Sequence, residues 1–127
     1  MTETQKRDIA KSFIAGLSKR DADLLESIME PDVVWSLPGE SLMSGEAHGV
    51  AAILKRAETF REYNVSIAIL YVLYGYRDVA LSLHNIGEAN GKTLDEHLTT
   101  VLHLQGDKIH RINTYISDVD MLNRYFI

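Results

Sequence analysis

The hydrophobic period of this chain changes its prevailing character at about Asn64. Up to about Asn64, apolar residues recur mostly three and four positions apart; beyond it they alternate, in runs parted by turn signals. A period near 3.6 puts one apolar stripe on a helix, whereas a period of 2 puts apolar side chains on one face of a strand. The order therefore predicts helices first and a curved antiparallel sheet afterwards, an α+β arrangement in which the helices cover one face of the sheet.

In the first part, Ile9, Phe13, Ile14 and Leu17 share a face, with Lys and Arg opposite and Gly16 near the end, which predicts a helix over about 4–18. Asp21 is placed to cap a second short helix, "ADLLESIM", that Pro31 stops. "DVVWSLP" is β-branched and aromatic and closes at Pro38 and Gly39, so it reads as a strand entering a loop rich in Gly, Ser and Glu. The helical period returns from about Val50 through Ile53, Leu54, Ala57 and Phe60. Then "NVSIAILYVLYGY", "DVALSLHNI", "KTLDEHLTTVLHL" and "KIHRINTYI", parted by Gly75, "GEANG" and "QGDK", predict a four-stranded antiparallel meander. "DVDMLNRYFI" ends as an Asp-capped helical turn. Wrapped around the N-terminal helices, such a sheet leaves a conical cavity, in one domain over 1–127 without repeat or linker.

Composition narrows the function. Thirteen basic and eighteen acidic residues leave a formal charge of -5, and no Lys/Arg run is interleaved with aromatics, which argues against nucleic acid and anionic membranes as partners. The absence of cysteine excludes disulfides, thiolate metal sites and thiol catalysis, and fits a reducing compartment. No apolar run reaches signal-peptide form at the start or bilayer length elsewhere, so a soluble cytoplasmic protein is expected.

The segment "LDEHLTTVLH" concentrates two carboxylates and two histidines. On a strand, Leu94, Glu96, Leu98, Thr100, Leu102 and Leu104 take the core face, and Asp95, His97, Thr99, Val101 and His103 the other. His97 and His103 then lie roughly 20 Å apart at about 3.3 Å per residue and cannot share a metal. In the last strand Ile112, Thr114 and Ile116 face inward while Arg111, Asn113 and Tyr115 face outward. The outer polar and aromatic surface is the expected homodimer interface.

The order of elements, with "GVAAI" (Gly49 to Ile53) opening the third helix and "GDKI" (Gly106 to Ile109) and "TYISD" near the end, resembles the SnoaL-like polyketide cyclases of the nuclear transport factor 2-like superfamily, to which ketosteroid isomerase and limonene epoxide hydrolase also belong. The resemblance spans nearly the whole chain. It implies a cone-shaped barrel, often dimeric, with a pocket between sheet and helices, but no single reaction, because the fold hosts isomerases, cyclases, hydrolases, dehydratases and binders. The isomerase's oxyanion tyrosine, general base and protonated aspartic acid fall at or near Phe13, Leu37 and Thr100, none of which keeps the required group. The cyclases' acid/base aspartate falls at Asp118, while their pocket histidine has no counterpart beside Thr100 and Leu102.

Candidate residues follow. Asp118 continues the parity of Ile112, Thr114 and Ile116; it is either a general acid or base in the pocket or the cap of the terminal turn, and the two are compatible. His84, among Ala80 and Ser82, is either a pocket acid/base or a solvated residue. Glu96 requires a partner or a raised pKa among its apolar neighbours, and with His84 makes the expected polar pair. Trp35, Tyr74, Thr100 and Thr114 are the expected substrate-binding residues. His48 is a rim or loop residue, and His110 has no evident partner. With no phosphate loop, nucleophile elbow, zinc signature or calcium loop, the expectation is a cofactor-independent acid/base enzyme of cyclase, isomerase or hydrolase type acting on a hydrophobic small molecule. The alternative is a non-catalytic binding or dimerisation module of the same fold.

Overall fold

A computed structural model describes residues 1–127. Helix α1 (Glu3–Lys19) starts at a capping box in which Thr2 Oγ1 accepts from the Gln5 amide and the Gln5 side chain accepts from the Thr2 amide, and it ends at Arg20 in the left-handed conformation. Asp21 caps α2 (Ala22–Ile28) through the Leu24 amide, 3.1 Å away. The hairpin closes tightly because Gly16 lies against Leu25: a Cβ there would stand 2.5 Å from Leu25 Cδ2.

Pro31 stops α2 as expected, but the chain passes directly into strand β1 (Met29–Leu37), which runs through the proline. The irregular register between Met29 and Val34 absorbs the missing N–H. The Gly/Ser/Glu segment is not all loop, since Gly45–His48 forms a short strand β2 antiparallel to β1. Its residues carry little β-propensity; the ladder offered by β1 supplies the pairing. Helix α3 (Gly49–Glu62) follows, and then β3 (Ser66–Tyr74), β4 (Asp78–Ala89), β5 (Lys92–Gln105) and β6 (Lys108–Ile116) in the expected meander, closed by the short α4 (Val119–Tyr125).

The sheet order is β2-β1-β6-β5-β4-β3, with β1 parallel to β6 and every other pair antiparallel. It curves without closing, so β2 and β3 remain edges. The helices cover its concave side, where Phe13, Trp35, Phe60 and Phe126 form a chain of ring contacts with centroids 5.6, 6.4 and 6.3 Å apart. These rings and the surrounding aliphatic core occupy the centre of the expected cone. No helix is long and apolar enough to cross a membrane.

Candidate active site

The β4–β5 hairpin turns at Asn90 and Gly91, both with positive φ, which is the backbone a two-residue Asn-Gly turn requires. That turn pairs Ala89 with Lys92 and, counting back along both strands, Asn85 with Glu96. Both point to the concave side and both are only 2% exposed. Glu96 Oε2 and Asn85 Oδ1 are each buried without a hydrogen-bond partner, a costly state for oxygens that seek donors.

Asp118 stands on the other side of Glu96. The β5–β6 register pairs Leu98 with Ile116, and the ladder continues through Ser117, whose amide donates to His97 O at 2.9 Å and whose Oγ accepts from the His97 amide at 3.1 Å. Two residues beyond Ile116, Asp118 is therefore adjacent to Glu96 on the same face. It also caps α4, its Oδ1 accepting from the Met121 amide at 3.0 Å. Burial, reinforced by the Asp118 charge, pushes the Glu96 pKa up from 4.5 to about 7. A carboxyl tuned in this way carries a proton near neutrality and is able both to give and to take one.

A second polar group lies four residues along β5. Trp35 Nε1 donates to Thr114 Oγ1 at 2.9 Å, and Thr114 Oγ1 and Thr100 Oγ1 share a hydrogen bond of 2.9 Å, all three side chains being buried. Thr114 already accepts from the indole, so whichever threonine donates to the other, one hydroxyl proton remains without a protein acceptor. Thr114 also lines a groove of about 570 Å³ between β1, β2 and the end of β6, which extends to Val119, next to Asp118. The Trp35 ring packs edge-on against Phe13 and lies beneath the Arg56 guanidinium, which donates to Trp35 O at 2.8 Å and to Gly45 O at 2.7 Å. Burial pulls the Arg56 pKa down to about 10.

His84 does not join this site. Alternation along β4 runs Val79, Leu81, Leu83 and Asn85 inward, so His84 faces out, opposite His97. There its Nε2 lies 2.6 Å from Asp95 Oδ1 and its ring stacks on that of His97 at 4.5 Å. The expected pair of His84 and Glu96 is replaced by Asn85 and Glu96: the parity of Leu81 and Leu83 extends to Asn85, and only the greater chemical prominence of histidine pointed elsewhere. Tyr74 is also remote, on β3 with its hydroxyl accepting from Arg7 Nε at 2.8 Å. His48 is exposed, with Nε2 3.3 Å from Glu46, and His110 meets the edge of the His103 ring. No three His, Asp or Glu side chains gather in a metal-binding arrangement.

The sequence pattern of the SnoaL-like domain matches residues 10–112, most of the chain. The chain belongs to the SnoaL-like domain family. No curated protein matches it at the sequence level. Among solved structures it is similar to Bal32a from a soil-derived mobile gene cassette, with a TM-score of 0.90 at 19% identity over 98% of each chain. It is likewise similar to a nuclear transport factor 2-like protein of Burkholderia xenovorans LB400, with 0.83 at 20% over 100% of this chain and 99% of the other. A putative SnoaL-like polyketide cyclase from Jannaschia sp. CCS1 superposes with 0.74 at 12% over 91% and 87%. At these identities the solved structures establish a common fold, and the chemistry rests on the residues of this chain.

Proposed function

We propose that this SnoaL-like protein is a cofactor-independent acid/base enzyme of cyclase, isomerase or hydrolase type, acting in the cytoplasm on a hydrophobic, carbonyl- or epoxide-bearing small molecule. The observation that carries this reading is Glu96: buried, partnerless at one oxygen, beside Asn85 and Asp118, with its proton held to about pH 7. In the protonated state it donates to an oxygen of the substrate; once ionised, it accepts a proton from carbon or water. Asp118 sets that balance by its charge, and the unpaired Asn85 Oδ1 orients a substrate hydroxyl or the Glu96 proton. The spare threonine hydroxyl is about 13 Å along the strand, at about 3.3 Å per residue, and serves a second oxygen of an elongated molecule. The groove beside Thr114 is the approach.

The test is turnover on a panel of hydrophobic ketones and epoxides followed by mass spectrometry. Asn caps a helix as well as Asp does, so Asp118→Asn removes the charge and keeps α4. Glu96→Gln should lower turnover roughly a hundredfold or more, the usual contribution of general acid/base catalysis, and Asp118→Asn should shift the pH profile to lower pH. Full turnover in both variants would remove the acid/base assignment, and saturable binding without any turnover would favour the non-catalytic module.

The partner we infer is a second copy, seated on the outer sheet face. Tyr71, Ser82, Thr99 and Tyr115 lie in one cross-strand row there, and the two tyrosines are 69% and 61% exposed. Leu73 and Ile86 extend the apolar surface, and aromatic residues are favoured at interface centres. Tyr115→Glu should convert a sedimenting dimer into a monomer; a wild-type protein that is monomeric at high concentration would eliminate this interface.

A further inference from the structure

A pocket of about 650 Å³ lies at the far end of β5 from Glu96, where the β3–β4 and β5–β6 turns meet the start of α1. Its volume is within the roughly 300–1,000 Å³ range of small-molecule sites. The wall includes Lys6, Tyr76, Arg77, Gln105, Gly106 and His110, and no carboxylate, in a chain whose net charge is -5.

Lys6 is the anomaly. Residues 6, 9, 10 and 13 form the buried stripe of α1, so a lysine occupies a position where the helix period calls for an apolar side chain. It is only 9% exposed. Its ammonium donates to Gly75 O at 2.6 Å and Tyr76 O at 3.2 Å, which leaves one of three protons without a partner, and it belongs to no ion pair. Two carbonyl dipoles offset part of the cost of burying a cation, but no counter-charge is supplied. Arg77 is exposed, stacks over Tyr76 at 5.7 Å and likewise pairs with no carboxylate. Asp78, just beyond the turn, lies 3.6 Å from His103 Nδ1, while His103 Nε2 meets Asn113 Nδ2 at 3.2 Å. Asp107, next to Gly106, is exposed and forms no ion pair. His110 adds a ring nitrogen at the rim.

We propose that this pocket binds a phosphate-bearing small molecule, with the phosphate oxygens taking the free Lys6 proton and the Arg77 fork. A guanidinium matches two oxygens of one phosphate, and charge-assisted bonds of this kind are the strong ones. The site is separate from Glu96 and stands or falls independently of the acid/base reading.

The test is a titration of isotope-labelled protein with inorganic phosphate, ionic strength held constant with sodium chloride, followed by amide NMR. The expected result is saturable shifts at Tyr76, Arg77, Gln105 and Gly106, with Glu96 and Asp118 unmoved. Arg77→Ala, an exposed substitution that spares the fold, should weaken binding roughly tenfold, while Arg20→Ala at the other end of α1 should leave it unchanged. Lys6→Met tests the buried cation directly; if it fails to fold, Arg77→Ala still decides. Shifts that never saturate, a titration indifferent to Arg77→Ala, or equal shifts with acetate would each overturn the proposal.

Discussion

The two faces of the sheet carry comparable polar inventories and opposite physics. On the outer face, His84 meets Asp95, His103 meets Asp78, and Arg111 meets Glu46 at 3.4 Å, each pair open to solvent. On the concave face, Glu96 and Asn85 keep oxygens that nothing satisfies. Water and mutual pairing satisfy the outer groups, whereas on the concave side desolvation raises the Glu96 pKa. The difference teaches that a shifted proton here follows from burial, not from residue type: the histidines pair on the open face, and a glutamate among leucines is the group whose pKa rises.

The largest effect should come from the concave side. Trp35→Ala deletes a ring packed against Phe13 and Phe60 and should cost about 3–5 kcal/mol in urea denaturation. A smaller loss would mean that the concave side is looser than its burial implies.

Next comes the pH dependence of Glu96. The unfolded carboxyl loses its proton near 4.5 while the folded one holds it to about 7, so the folded state binds more protons in between and stability falls as pH rises through that window. The shift corresponds to about 3 kcal/mol, fully present below pH 4.5 and gone above about 7. Glu96→Gln, which is always neutral, should flatten the curve and be more stable than the wild type at pH 8. A curve unchanged by the substitution would place the titration elsewhere.

Thr114→Val should cost about 1–3 kcal/mol, because it strands the buried Trp35 N–H. The outer face supplies the contrast, since His84→Ala removes an exposed pair and should cost at most about 1 kcal/mol and leave turnover intact. A larger loss there would undo the distinction between the faces.

Much of this was legible along the chain. The alternation of β5 places Glu96 and Thr100 inside and Asp95, His97 and His103 outside, and the structure agrees. Asn85 was equally within reach, by extending Val79, Leu81 and Leu83 two residues further. Strand β2 was not, because four residues of weak propensity pair only when β1 stands beside them. Nor was the state of Lys6, whose hydrogen-bond acceptors lie 69 and 70 residues away.

The sequence by itself determined the periods, the turns and thus the face each strand residue takes, because these depend on backbone geometry within a few residues. Only the tertiary structure decided what stands opposite and how dry the site is. Asp118 reaches Glu96 through strand pairing, and Glu96 holds its proton because the helices and strands around it exclude water. Desolvation sums over every element that covers a group, and no local stretch contains that sum.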